Sequence, residues 1–320
     1  MREIFIAFLA AVLAHVPLFA FAQKDFPNRP IRIIVPFTAG SGSDTSARFF
    51  GERMATSLGQ PAVVENKPGA NAVIAVMTVK SAPADGYTIL LASNSPMSVN
   101  PLAIKDLPYD PLKDLKPLSG LSRGMNALVV APGSEIRSVA DLVATARKAP
   151  APLTVGSYSM GYRLVVEWFA GLAGARFSYV PYKGGAPVFT DVMGRQLDFG
   201  IVDMGGAVSL VKSGKMRALA VSGEKRHPEF PDVPTLSETY PECVTYSWTS
   251  FYVRAETPDD VTGKLVDALQ KALASNEARE FVKSTGAELM PFPPEVMRKF
   301  QRDELERFRR IADAAGIKPE

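Results

Sequence analysis

This sequence predicts an α/β chain folded into two lobes about a cleft, on three observations. Short apolar, β-branched runs alternate with amphipathic helical stretches along most of its 320 residues, the pattern of mainly parallel sheets flanked by helices. Small polar loops, most of them bearing glycine, recur after those runs, at the carboxyl ends of strands, where open sheets bind ligands. The middle of the chain, roughly 125–244, completes a strand–helix cycle of its own between two apolar strands placed to cross between lobes. The division expected is a signal segment over 1–22, a first lobe from 23–124 and 245–320, and a second from 125–244.

Met1-Arg2 precedes an apolar run over 4–21 that ends in Ala20-Phe21-Ala22. A charged start, an apolar core and an A-x-A site predict a signal peptide cleaved after Ala22, so that the mature chain starts at Gln23 in an exported compartment. His15 and Pro17 interrupt the run and argue against a membrane anchor. The lone Cys243 excludes an internal disulfide. A net charge of +3 without a basic block excludes nucleic acid as a partner.

The first unit is a strand over 31–35, stopped by Pro36, then a small loop over 38–43. A helix follows, opened by Asp44, with Ala47, Phe50, Met54 and Leu58 at helical spacing and Gly59 as its stop. Gly40 and Gly42 let a ligand approach the backbone without meeting a Cβ. The free N–H groups of the first helical turn attract an anion. Next come a strand over 62–65, a helix over 71–81, a strand over 88–92 ending in Ser93-Asn94-Ser95, and a proline-rich loop over 96–117. The second cycle predicts strands over 127–130, 153–156, 177–180, 197–202 and 216–222. Between them lie helices over 138–148, 164–173 and 207–212, and one carrying Val188, Val192 and Met193 inward. Its loops are 157–161, Pro181-Tyr182-Lys183-Gly184-Gly185 and Asp203-Met204-Gly205-Gly206. A loop over 224–238 leads to a strand over 246–253, helices over 258–274 and 277–285, a short strand near Leu289, and a charged helix over 294–315.

Chemistry is sparse. His227, between Arg226 and Pro228, is the one histidine past the signal; a polar loop predicts it solvated and outside the cleft. No metal-ligand spacing and no acid–base pair of carboxylates stands out, and neither cofactor nor metal is expected. Ser157-Tyr158-Ser159-Met160-Gly161 resembles the nucleophile elbow of a serine hydrolase, but Ser157 stands where its first glycine is required. Gly40-Ser41-Gly42-Ser43-Asp44-Thr45, with Glu65 ending the next strand, has the layout of a dinucleotide-binding unit, but Thr45 replaces the third glycine. Asp44 either caps its helix or meets ligand, and Asp203 either caps a helix or binds an ammonium group.

Val35-Pro36-Phe37 through Asp44, Asp85-Gly86-Tyr87-Thr88, Val180-Pro181-Tyr182-Lys183-Gly184-Gly185-Ala186-Pro187, the run from Lys212 to Ala220, and Pro231-Asp232-Val233-Pro234-Thr235 together resemble the Bug family. These are exported solute-binding receptors of tripartite tricarboxylate transporters, and the resemblance covers the mature chain in order. It implies a periplasmic-binding-protein type II fold that closes over a small carboxylate, with membrane subunits of the transporter as partner and no enzymatic activity. A monomer is expected. By the resemblance, Phe37, Thr38, Ala39, Gly40, Ser41, Gly42 and Asp44, with Ser93, Asn94 and Ser95, serve the first lobe. Ser157, Tyr158, Gly161, Tyr162, Lys183, Gly184, Gly185 and Asp203 serve the second. The sequence departs from the pattern at Gly40-Ser41-Gly42, where Gly-Gly is common, and at Tyr158 and Tyr162, where small residues are frequent. The ligand class implied is a di- or tricarboxylate or, given the tyrosines, an aromatic carboxylate.

Overall fold

In a computed structural model, which describes residues 26–314 and 316–319, one mixed sheet runs through the molecule. The predicted signal peptide lies outside these residues. The chain lays down β1 (Ile31–Val35), α1 (Gly42–Leu58), β2 (Ala62–Asn66), α2 (Val73–Lys80) and β3 (Thr88–Ser93). It continues with α3 (Asn100–Ala103), β4 (Leu115–Val130), α4 (Val139–Lys148), β5 (Leu153–Ser157), α5 (Met160–Ala173) and β6 (Phe177–Pro181). Then come α6 (Gly185–Met193), β7 (Phe199–Asp203), α7 (Met204–Lys212), β8 (Arg217–Val221) and β9 (Tyr246–Arg254). It ends with α8 (Asp259–Ala274), α9 (Asn276–Ser284), β10 (Glu288–Leu289) and α10 (Pro294–Ala314).

The strand order is β2-β1-β3-β9-β4-β7-β5-β6, with β8 and β10 also paired to β4. The parallel runs expected from strand–helix alternation are β2-β1-β3 and β6-β5-β7. Two antiparallel strands, β9 and β4, stand between them. β4 belongs to both halves of the sheet: residues 115–125 pair with β9, and residues 126–130 pair with β7 and β8.

The core follows this division. Ile33, Val35, Phe50 and Met54 pack with Phe251, Leu265 and Val282 on one face of the first half, and Ile34, Val76, Leu90, Trp248 and Tyr252 on its other face. Leu128, Val155, Phe169, Val188, Phe199 and Ile201 fill the second half. α10 spans the two: Met297 enters a core of the first half and Phe308 enters that of the second. Each such side chain contributes about 1.5–3 kcal/mol by leaving water.

Three expectations need correction. The proline-rich stretch after Ser95 is not mostly loop: it holds a turn of π-helix over Ser95–Val99, α3, and then the start of β4. Pro96 and Pro101 stand in the first turns of these helices, where a missing N–H costs nothing. α1 begins at Gly42 with Ser41 as its cap, so Asp44 does not open it. His227 is not solvated: it is fully buried, because Gly286, which has no side chain, gives its ring a flat seat; a Cβ there would fall 1.5 Å from Nε2.

Candidate functional site: a cleft between the two halves of the sheet

The loop after β1 is built by its own side chains. Ser41 Oγ accepts from the N–H of Asp44 at 3.2 Å, and Asp44 Oδ2 accepts from the N–H of Gly40 at 3.0 Å. Asn66 Nδ2 donates to Asp44 Oδ1 at 2.9 Å, and Arg48 forms an ion pair with the same carboxylate at 3.0 Å. Burial alone raises the Asp44 pKa; the hydrogen bonds from Arg48, Gly40 and Asn66 outweigh it, and the carboxyl is held below its usual range. Asp44 therefore sets the loop's shape from inside, and Phe37, Gly40, Gly42, Ser43, Thr45 and Ser46 face the cleft. Gly40 sits at φ +78°, where a side chain is strained.

The opposite wall rests on α5 and α7. Ser159 caps α5, its Oγ accepting from the N–H of Tyr162 at 3.4 Å. Asp203 caps α7, its Oδ1 accepting from the N–H of Gly206 at 2.7 Å. Asp203 Oδ2 accepts a short hydrogen bond from the Tyr158 hydroxyl, which lies 3.2 Å from the Tyr162 hydroxyl. Burial first, and then the Asp203 charge, push both phenols above their usual pKa, so they stay protonated.

Between these walls lies a cavity of about 270 Å³, close to the lower end of the small-molecule range of about 300–1,000 Å³. It is lined from both halves of the sheet, and the halves touch around it. The N–H of Gly161 donates to Ser95 Oγ at 3.2 Å, and Phe37 meets Tyr158 edge-on at 5.5 Å. A Cβ on Gly42 would fall 2.8 Å from Asp203 Oδ1, and one on Gly184 would fall 1.9 Å from Thr38 Oγ1. No lysine or arginine is among the residues lining the cavity; Asp203 is their one charged side chain. The first turns of α1, α5 and α7 face it instead, each a concentration of N–H groups that favours an anion. Ser93 Oγ, on the cavity wall, is buried without a hydrogen-bond partner among the described residues, as expected of a hydroxyl that serves a ligand.

Of the residues expected at the site, the cavity brings together Phe37, Gly40, Gly42, Ser93, Asn94, Tyr158, Tyr162 and Asp203. The others stand back from it. Thr38 packs against Gly184, Ala39 is exposed, and Ser41 and Asp44 are engaged in the loop. Ser95 and Gly161 bond to each other. Ser157 is buried and donates to the Tyr179 hydroxyl at 3.0 Å. Lys183 points to solvent, while Gly185 packs on Phe189. The expected list lacks Ser122 and Met125 of β4, Ser247, Trp248 and Thr249 of β9, and Thr285. The one signal for these was the pair of polar residues at i and i+2, Ser247 and Thr249, alternating with Tyr246 and Trp248 in an aromatic-rich strand.

The arrangements considered for chemistry do not assemble. His227 Nδ1 accepts from the N–H of Glu229 at 3.2 Å, and Nε2 has no partner among the described residues, so no serine is activated by it. Glu65 is held by Arg32 through two bonds at 2.7 and 3.0 Å rather than left for a ribose.

The chain is similar to known proteins along most of its length. The sequence profile described as "Tripartite tricarboxylate transporter family receptor" matches residues 46–317. BugT of Bordetella pertussis is 33% identical over 301 residues, 93% of this chain and 92% of BugT. The R. palustris protein Rpa4515, solved with adipate, superposes with a TM-score of 0.89 at 31% identity, covering 92% of this chain and 100% of that one. MatC from Rhodopseudomonas palustris, solved with bound malate, gives 0.85 at 26% identity, with 89% and 99% covered.

Proposed function

The chain belongs to the tripartite tricarboxylate transporter receptor family, a family of solute-binding receptors and not of enzymes, and from that premise we propose that it captures a small carboxylate in the cleft and delivers it to the membrane subunits of such a transporter. The observation that carries this reading is a cavity lined from both halves at three helix N-termini, without a cationic side chain. Backbone N–H groups and hydroxyls hold the acid, as fixed dipoles that need no lysine or arginine. Rpa4515 with adipate and MatC with malate show relatives of this fold holding such acids. A di- or tricarboxylate or an aromatic carboxylate is the ligand class.

On this reading residues 23–124 with 245–320 form one lobe and 125–244 the other, and the acid stabilises the state in which they meet. The Gly161–Ser95 hydrogen bond and the Thr38–Gly184 approach belong to that closed state. The receptor works in the periplasm as a monomer, after cleavage between Ala22 and Gln23.

A thermal-shift screen of carboxylates, adipate and malate among them, followed by calorimetric titration, tests the assignment. A carboxylate that raises the melting temperature, and binds Ser93→Ala more weakly than the parent, supports it. Stabilisation by an amine or a neutral sugar and by no acid overturns it. Intact-mass analysis of the exported protein checks the cleavage site.

A further inference from the structure

The wall of the cavity on the side of the second half is made by two tyrosines, and we propose that this pair sets the length of the acid the receptor accepts; the proposal rests on the carboxylate reading above. Tyr158 follows β5 and Tyr162 stands in the first turn of α5, so both are rooted in one half of the sheet. Both reach the other. The Tyr158 ring meets Phe37 edge-on, with centroids 5.5 Å apart, and Tyr162 meets Tyr158 the same way at 4.9 Å. The Tyr162 hydroxyl lies 3.4 Å from Ser247 Oγ of β9.

Neither hydroxyl is left for a ligand. Tyr158 donates to Asp203, and the Tyr162 hydroxyl lies between those of Tyr158 and Ser247. Ser247 Oγ in turn donates to Asn126 Oδ1 at 2.6 Å, and Asn126 is the register partner of Asp203 on the β4–β7 ladder. The contacts thus close into a ring: Asp203, Tyr158, Tyr162, Ser247, Asn126 and back. With the hydroxyls occupied, the rings act on the acid as carbon walls. With both rings only 6% and 7% exposed and tied at their tips, they cannot swing aside to lengthen a cavity of about 270 Å³. An acid too long for the space meets a fixed stop.

The test is a titration of two series of acids by calorimetry. One runs from succinate through glutarate, adipate and pimelate to suberate. The other is benzoate with its 4-methyl and 4-ethyl derivatives. The proteins are the parent, Tyr162→Phe, Tyr162→Ala and Tyr162→Leu. A methylene that a pocket cannot hold costs roughly tenfold or more in affinity, so the parent shows a cut-off in at least one series. Tyr162→Phe unties the tip but keeps the ring, which its burial and its edge-on contact with Tyr158 still hold, and keeps the cut-off. Tyr162→Ala moves it outward by at least one carbon, with a gain of roughly tenfold for the acid just excluded. Should Tyr162→Ala not melt cooperatively, Tyr162→Leu decides, since it also shortens the wall. No cut-off in the parent, or one that Tyr162→Ala and Tyr162→Leu leave in place, overturns the proposal alone. A parent that binds no acid of either series also overturns the length stop, and if no carboxylate of the screen binds either, the carboxylate reading falls with it.

Discussion

Thr38 and Gly184 approach so closely that no methyl group fits between them: beside the 1.9 Å to Oγ1, a Cβ on Gly184 would lie 3.0 Å from the Thr38 Cβ and 3.1 Å from its Cγ2, so no rotamer of Thr38 relieves the clash. Gly184 is extended, at φ 179°, a conformation alanine adopts freely. Gly184→Ala is therefore expected to hinder the meeting of the halves and to leave each half folded. Overpacking of this kind costs about 1–3 kcal/mol, which places the loss of affinity between roughly fivefold and 150-fold. Calorimetry with the best acid from the screen, beside an unchanged melting curve of the unliganded variant, is the check; full affinity would separate this contact from binding. Asp44 behaves oppositely. Asp44→Ala leaves the Gly40 N–H without its acceptor and Asn66 Nδ2 with only the Phe37 carbonyl, and a loss of about 1–3 kcal/mol in chemical denaturation of the unliganded protein is expected. The sequence showed Gly40, Gly42, Ser93 and Asp203 because small and acidic residues after apolar runs mark strand ends. It placed Lys183 and Ser157 beside them as members of polar, glycine-bearing loops at strand ends and by the family resemblance. Only the fold distinguishes a loop residue that faces the cleft from one that faces solvent, as Lys183 does, or the core, as Ser157 does.

Among elements, the periodic ones were legible. α1 shows its buried stripe at Ala47, Phe50 and Met54 and its stop at Gly59, and β1 shows an unbroken apolar run. The first half of β4 was not legible, because Pro117, Ser119, Gly120 and Ser122 carry no strand pattern. Tertiary pairing makes it a strand: β9 binds one edge, and the chain near Met290 crosses so near Gly120 that a Cβ there would fall 2.4 Å from the Met290 carbonyl oxygen. The loop over 224–238 misled for a related reason. Its polar composition hides that His227 is pressed onto Gly286, between two residues, Thr285 and Ala287, that line the cleft. Burial lowers the His227 pKa from 6.5; the Glu229 carboxylate opposes the shift, and Lys212, paired with Glu229 at 3.1 Å, adds to it. A histidine with a lowered pKa binds its proton more readily when exposed. The contact is therefore at full strength above pH 6.5 and weakens as pH falls below that value. In protein made without residues 1–22, His227 is the one histidine, so its NMR titration is read without assignment. A midpoint below 6.5 that returns toward 6.5 in urea is expected; a midpoint at or above 6.5 in the folded protein would remove this pH dependence.

At the scale of the molecule, a ligand that binds only the folded state stabilises it by about 2.7 kcal/mol at a hundred times its dissociation constant. The two-lobe reading adds a change of shape: small-angle scattering should give a smaller radius of gyration with the best acid than without it, and an identical radius would leave the halves fixed. The strand order has one more consequence, for how the molecule comes to exist. β9, near the carboxyl end, lies between β3 and β4 in the sheet. The strands of the second half, β5 to β8 with the end of β4, are contiguous in the chain and can pair as soon as they are made. The first half cannot: β3 waits for a partner more than a hundred residues away, and pairings of such sequence separation form slowly. A chain emerging amino end first thus completes its middle before its beginning, and carries an open sheet edge at β3 until Tyr246–Arg254 arrives. Pulse-labelled hydrogen exchange during refolding should find the amide of Val129 protected before that of Leu90; the reverse order would mean that the first half assembles without waiting for its missing strand.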